Sequence, residues 1–178
     1  MRFLSLFKFI PVFLLLSSFA FAEESQQPST SENKWNGPTF KLESLDGDKL
    51  SEADVFVDAE LYLIDFWASW CRPCNQYLPH LVNFVDEFSD RGLKVVLFCV
   101  DDAGSISTAR NTLKAGDYPF TILFDPESKV KDQLGVRRIP TTVLLDSNGK
   151  ELWRHVGYEK GVEDEVAEKI DSLLPEED

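Results

Sequence analysis

The chain has 178 residues, with 31 acidic against 18 basic side chains and a formal net charge of −13. A charge of that sign repels nucleic acid and anionic lipid surfaces and keeps a protein in solution, so neither is expected as a partner. Three cysteines is an odd count, which excludes a disulfide framework that uses them all.

Arg2 and Lys8 precede an apolar stretch from Phe9 to Phe21, and Ala20-Phe21-Ala22 stands just before a polar turn at Glu23. That order predicts a secretory signal peptide over residues 1–22, cleaved after Ala22. The alternative, a retained anchor, needs about 20 apolar residues, and this run is shorter. No cysteine stands beside the cleavage point to carry a lipid. Removing residues 1–22 leaves 156 residues, enough for one domain with a substantial core, and 16 basic against 31 acidic side chains, a balance of −15. The protein is expected in the periplasm or another extracytoplasmic space, where thiols oxidise and a disulfide is the natural resting state of a close cysteine pair. Residues 23–36 hold one aromatic, Trp35, among polar and small residues, which predicts a disordered tether.

Pro38 to Glu43 alternates in polarity, and Asp46-Gly47 then supplies a hairpin turn. Asp54 to Glu60 is a connection to a strand at Leu61–Trp67, whose branched and aromatic residues suit a buried central position. Tyr77, Leu78, Leu81, Val82, Val85 and Phe88 recur at helical spacing, predicting a helix from Arg72 to about Asp90, kinked at Pro79 and ended by Arg91-Gly92. A strand from Lys94 to Val100 is apolar on both faces and carries Cys99, which is expected to pack as an inert small hydrophobe. A helix from Ser105 to Ala115, a strand from Phe120 to Phe124 and a short helix around Val130–Leu134 follow. Strand Thr141–Leu145, a turn at Asp146-Ser147-Asn148-Gly149, strand Glu151–Val156, a helix from about Val162 to Leu174 and an acidic tail at residues 175–178 close the chain. Strands alternating with helices imply a three-layer α/β/α sandwich with a mixed central sheet, formed by residues 37–174.

The change from strand to helical period falls on Trp70-Cys71-Arg72-Pro73-Cys74. A thiol at a helix N-terminus faces unpaired backbone N–H groups and the positive end of the helix dipole, both of which favour the thiolate. Cys71 is therefore the expected nucleophile. Cys74, one turn further in, is shielded from outside partners but close enough to resolve a mixed disulfide. The competing reading, half of a zinc site, needs two more ligands, and only Cys99, His80 and His155 remain. Asp65 lies within the apolar run, where it either points outward to water or is buried at a cost.

Trp-Cys-x-Pro-Cys after a strand, with Asp65 six residues before Cys71, Pro79 five after Cys74, and Ile139-Pro140-Thr141 downstream, resembles the thioredoxin superfamily. The N-terminal hairpin and the central helix–strand insertion resemble its exported TlpA/ResA-like branch. The resemblance implies a thioredoxin fold, a Cys71–Cys74 redox disulfide, and Asp65 as a buried carboxylate of raised pKa that takes the Cys74 proton. It makes Pro140 a cis-proline whose loop, with Ile139 and Thr141, pairs with an extended substrate beside Trp70, Arg72 and Pro73, Trp67 completing an apolar rim. Asp65 stands where many TlpA/ResA-like proteins carry an uncharged residue, and Tyr77 where ResA-like reductases carry an acidic one. No metal or organic cofactor is implied. The implied partners are exported protein thiols and disulfides, among them apocytochromes before haem attachment, with a membrane thiol carrier as electron donor and the protein as a monomer.

Arg72, Arg137 and Arg138 either collar the cysteine pair, favouring the Cys71 thiolate and a more oxidising disulfide, or are three solvated arginines. Other functions compete. A disulfide donor or isomerase would run the same chemistry in the opposite sense. Peroxiredoxins, which are structural relatives, carry Pro-x-x-x-Thr-x-x-Cys, but Ile64 and Ala68 stand at those positions. Paired thiolates also suit Cu(I), as in a copper chaperone, yet the only methionine is the initiator and no His-rich stretch occurs.

Overall fold

The computed structural model describes residues 35–176, so the predicted signal peptide, all but the end of the tether and the last two tail residues lie outside it. The first half contains β1 (Lys41–Ser44), β2 (Lys49–Ser51), α1 (Glu52–Val55), β3 (Leu61–Trp67), α2 (Arg72–Phe88) with a short 3-10 turn after it, and β4 (Leu93–Cys99). The second half contains α3 (Ile106–Gly116), β5 (Thr121–Phe124), α4 (Lys129–Gln133), β6 (Thr141–Asp146), β7 (Glu151–Val156) and α5 (Val162–Leu173). The strands form one mixed sheet in the order β2-β1-β5-β4-β3-β6-β7. The expected N-terminal hairpin is β1–β2, and the inserted α3 and β5 place a strand between β4 and that hairpin.

β3 is buried at every position because both sheet faces are covered. Successive side chains of a strand point to opposite faces. Leu61, Leu63 and Trp67 pack with Leu81, Phe84 and Phe88 of α2 and with Val166 and Ile170 of α5, while Tyr62, Ile64 and Phe66 meet Phe56, Phe98 and Val130 on the other side. The parallel crossovers through α2 and α3 cover the first face, as Ala109 and Leu113 of α3 join that core. This is the three-layer arrangement expected from the alternation of elements.

Several details differ from the expectations. Residues Glu52–Val55, the last two of which fall in the expected connection, form α1, started by Asp54, whose carboxylate accepts from both the N–H and the hydroxyl of Ser51. The long helix, expected to reach about Asp90, ends at Phe88 and passes into a 3-10 turn at Ser89–Arg91. Trp35 and Asn36, placed at the end of the tether, contact the domain: the Trp35 ring stacks on Phe56 with centroids 4.4 Å apart, and the Asn36 N–H donates to the Asn148 carbonyl. At the other end, Arg91 Nε donates to the Pro175 carbonyl at 2.9 Å.

Asp125, fully buried at the end of β5, accepts three backbone N–H bonds from Lys129, Val130 and Lys131 at 2.8–3.1 Å and so starts α4, the element before the cis-proline loop. Replacing Asp125 with Ala strands those donors and should cost about 2–3 kcal/mol. Urea denaturation measures the loss.

Candidate active site

Cys71 is the N-cap of α2, its backbone extended at φ −85° and ψ 99°, and the Cys74 N–H donates to its sulfur at 3.3 Å. No acidic side chain stands in the first helical turn to cancel the dipole. Pro73 occupies a first-turn position where a missing N–H costs nothing. Cys71 and Cys74 form a disulfide, and Cys71 is the more accessible of the two, 5% against 1%. The Cys74 sulfur lies 3.9 Å from the Phe66 carbonyl oxygen, so the start of α2 packs directly against β3.

The loop between β3 and α2 is held from two sides by residues that sequence reasoning did not single out. Asn75 Nδ2 donates to the Cys71 and Ser69 carbonyls at 3.0 and 3.3 Å, and its Oδ1 accepts from the Trp67 indole at 3.2 Å. Asp101, fully buried after β4, accepts the Ser69 N–H at 2.7 Å and the Ser69 hydroxyl. The Cys99 thiol donates to the same carboxylate at 3.4 Å, and burial pushes its pKa up to about 12, in keeping with an unreactive core thiol. The signal for Asp101 was an acid directly after a buried strand; Asn75 gave none, since its partners are set by the turn of the chain.

Asp65 lies on β3 beside Phe66, buried, on the face that carries α2. Its carboxyl bonds the Thr142 hydroxyl of β6 at 3.2 Å, and Thr142 Oγ1 lies 3.3 Å from the Tyr77 hydroxyl of α2. Burial raises the Asp65 pKa well above the usual carboxyl value, only partly offset by the Thr142 hydroxyl and the Phe66 backbone. Burial and the nearby Asp65 carboxyl likewise raise the pKa of Tyr77. Thr142 escaped notice because nothing in the chain relates it to a residue 77 positions earlier.

The Ile139–Pro140 peptide is cis. Thr141, buried, donates from its hydroxyl to the Arg138 carbonyl at 2.7 Å, and the Pro140 carbonyl accepts from the Gly157 N–H. The Ile139 backbone makes no hydrogen bond among the described residues. Pro73, Arg138, Ile139, Pro140, Val156 and Tyr158 line one groove of about 520 Å³. Pro73, between the two cysteines, thus meets Ile139 and Pro140 in one groove, and Asp65 on β3 bonds Thr142, which follows that loop on β6. Trp70 stands 67% exposed beside it. Trp67 is not on the rim: it is fully buried beneath the loop, because its place on β3 turns it into the α2 core and Asn75 satisfies its indole. Arg72, Arg137 and Arg138 are exposed, with no ion pair among the described residues. His80 is half-buried, 3.0 Å from the Tyr158 hydroxyl; His155 stacks on Trp153.

The profile of the AhpC/TSA family matches residues 36–150. The chain belongs to that family. Over 120 residues, 67% of this chain and 69% of the other, it is 32% identical to the thioredoxin-like protein YneN of Bacillus subtilis (strain 168). Over 115 residues, 65% of this chain and 62% of the other, it is 28% identical to the thiol-disulfide oxidoreductase ResA of the same organism. A crystal structure from Chlorobium tepidum, provisionally named thiol:disulfide interchange protein DsbE, superposes with a TM-score of 0.69 and 28% identity, covering 79% of this chain and 96% of that one. The thioredoxin fold is shared with these relatives. Within the AhpC/TSA family this member carries a Cys-x-x-Cys pair, with Ile64 and Ala68 where the peroxidase motif has Pro and Thr.

Proposed function

We propose that this protein is an extracytoplasmic thiol–disulfide oxidoreductase that reduces disulfides in exported proteins. The observation that carries the reading is the Cys71–Cys74 disulfide at the start of α2, with Cys71 the more accessible sulfur; β3, which leads into that helix, carries the buried Asp65 carboxyl. The relatives named ResA and DsbE support the oxidoreductase class.

In the reductive direction the Cys71 thiolate attacks a partner disulfide, forming a mixed disulfide and releasing one partner thiol. The Cys74 thiol gives its proton to Asp65 and attacks the Cys71 sulfur; the Cys71–Cys74 bond forms, the bond to the partner breaks, and the second partner thiol leaves. Two electrons pass from the pair to the partner. The unpaired Ile139 backbone offers main-chain bonds to an extended partner segment, with Trp70, Arg72, Pro73 and Thr141 around it. Residues 1–22 direct export and are removed after Ala22, residues 23–34 tether the domain, and a membrane thiol carrier restores the reduced pair of the monomer. Apocytochrome thiols awaiting haem are one substrate class of this chemistry.

The reduction potential of the pair, equilibrated with glutathione or dithiothreitol, tests the direction. A value near about −270 mV is expected for a reductant; one near about −120 mV would make the protein a disulfide donor and favour the three arginines as a collar.

A further inference from the structure

Asp65 has an unusual problem for a carboxyl that must accept a proton and give it up again. It is fully buried, and among the described residues no basic side chain contributes to holding its charge. Among the described residues the one side chain bonded to it is Thr142, and Thr142 is bonded in turn to Tyr77. The three oxygens come from β3, β6 and α2, the strands and helix that frame the cysteine pair.

A hydroxyl has one proton to donate and two lone pairs, whereas an ionised carboxylate only accepts. With Asp65 ionised, one arrangement satisfies every member: Tyr77 donates to Thr142, and Thr142 donates to Asp65. With Asp65 protonated, the sense reverses: the carboxyl donates to Thr142, and Thr142 donates to the Tyr77 oxygen. Neither change moves a heavy atom, since Thr142 sits 3.2 Å from one neighbour and 3.3 Å from the other. The titratable groups around this chain are Tyr158 and Glu163, which act on Tyr77, and His80, bonded to Tyr158; Cys74 stands one helical turn before Tyr77 on α2. Tyr158 and Tyr77 have ring centroids 5.1 Å apart, and Leu97 of β4 is the register partner of Asp65.

We propose that Thr142 and Tyr77 form a reversible two-hydroxyl chain that positions and polarises Asp65 for accepting the Cys74 proton. This rests on the oxidoreductase reading above and deepens it. Bonds to a charged partner are roughly twice as strong as neutral ones, so the chain favours the ionised carboxyl that must act as base. Tyr77 thus supplies, as a donor, what a second acid at its position would not: stabilisation of charge on Asp65.

The test is a two-phase reaction of the fully reduced protein with 5,5′-dithiobis(2-nitrobenzoate) across a pH series. The first coloured thiol leaves as Cys71 is capped, and the second as Cys74 resolves the cap. In Thr142→Val the second phase should slow about tenfold at pH 7, its midpoint moving to higher pH so that the loss closes under alkaline conditions. Thr142→Ser should restore the parental profile, and Tyr77→Phe, which keeps the buried ring, should shift it the same way by less. A Thr142→Val profile with an unmoved midpoint, or a loss equal at all pH values, overturns the proposal, as does Thr142→Ser that fails to restore it or Tyr77→Phe without a shift. Parental protein that releases only the first thiol overturns the oxidoreductase reading instead, and the two failures are therefore distinct.

Discussion

Cys71→Ser should abolish thiol–disulfide exchange, lowering turnover by on the order of a thousandfold or more, whereas Cys74→Ser should still attack and then stall. The asymmetry follows from position. Cys71 is the N-cap, receives the Cys74 N–H and is the more accessible sulfur; Cys74 is 1% exposed and faces the Phe66 carbonyl. A serine at position 71 keeps the cap but has no accessible anion at neutral pH. A serine at position 74 leaves the first step intact and removes the only sulfur able to release the partner. The measurement is non-reducing electrophoresis of each variant after mixing with a disulfide-containing protein. Cys74→Ser should accumulate a covalent adduct that dithiothreitol dissolves, and Cys71→Ser should form none. Adducts on Cys71→Ser would assign the nucleophile to Cys74.

Asp65→Asn should slow resolution at neutral pH by on the order of a hundredfold, because a positioned general base is removed while the shape of the site is kept. The same change should alter stability with a definite sign. The folded-state pKa of Asp65 is raised by burial, while the unfolded carboxyl titrates near about 4. Between those values the folded protein holds a proton that the unfolded chain has lost, so the residue's contribution to stability is present below about pH 4 and lost as pH rises through the folded value. An amide does not ionise. The unfolding free energy of Asp65→Asn relative to the parent should therefore climb as pH rises from about 4 toward neutrality, read from urea transitions at each pH. A difference that stays flat would mean that Asp65 is not a buried acid. Gain in stability with loss of rate would mark the carboxyl as retained for chemistry.

The strand-to-helix junction was legible because two periods meet at the cysteines, and local signals of that kind need no tertiary context. The Ile139-Pro140-Thr141 loop was legible only through resemblance. Three things were not legible. α1 is four residues long and announced only by Ser51 and Asp54, too brief for periodicity to register. Trp67 was placed on the rim because a strand buried on both faces has no polar alternation to say which side each residue takes. Thr142, Asp101 and Asn75 act through partners fixed by the fold; Asp101 meets Ser69 from 32 residues away, and a sequence read locally cannot see such a bond. Tyr77 was visible as an apolar helix position, but its hydroxyl's partner was not.

The order of strands also bears on how the molecule comes into being. β1 lies against β5, with Glu43 opposite Phe124 and Ser44 opposite Leu123, about 80 residues apart along the chain. Joining segments so distant carries a large loop-closure cost and comes late in folding. A polypeptide delivered head-first through a narrow channel gains from that delay. During the proposed export, its leading hairpin would find no strand to dock on until β5 had followed it through, so the front of the chain would stay threadable while most of the domain was still on its way.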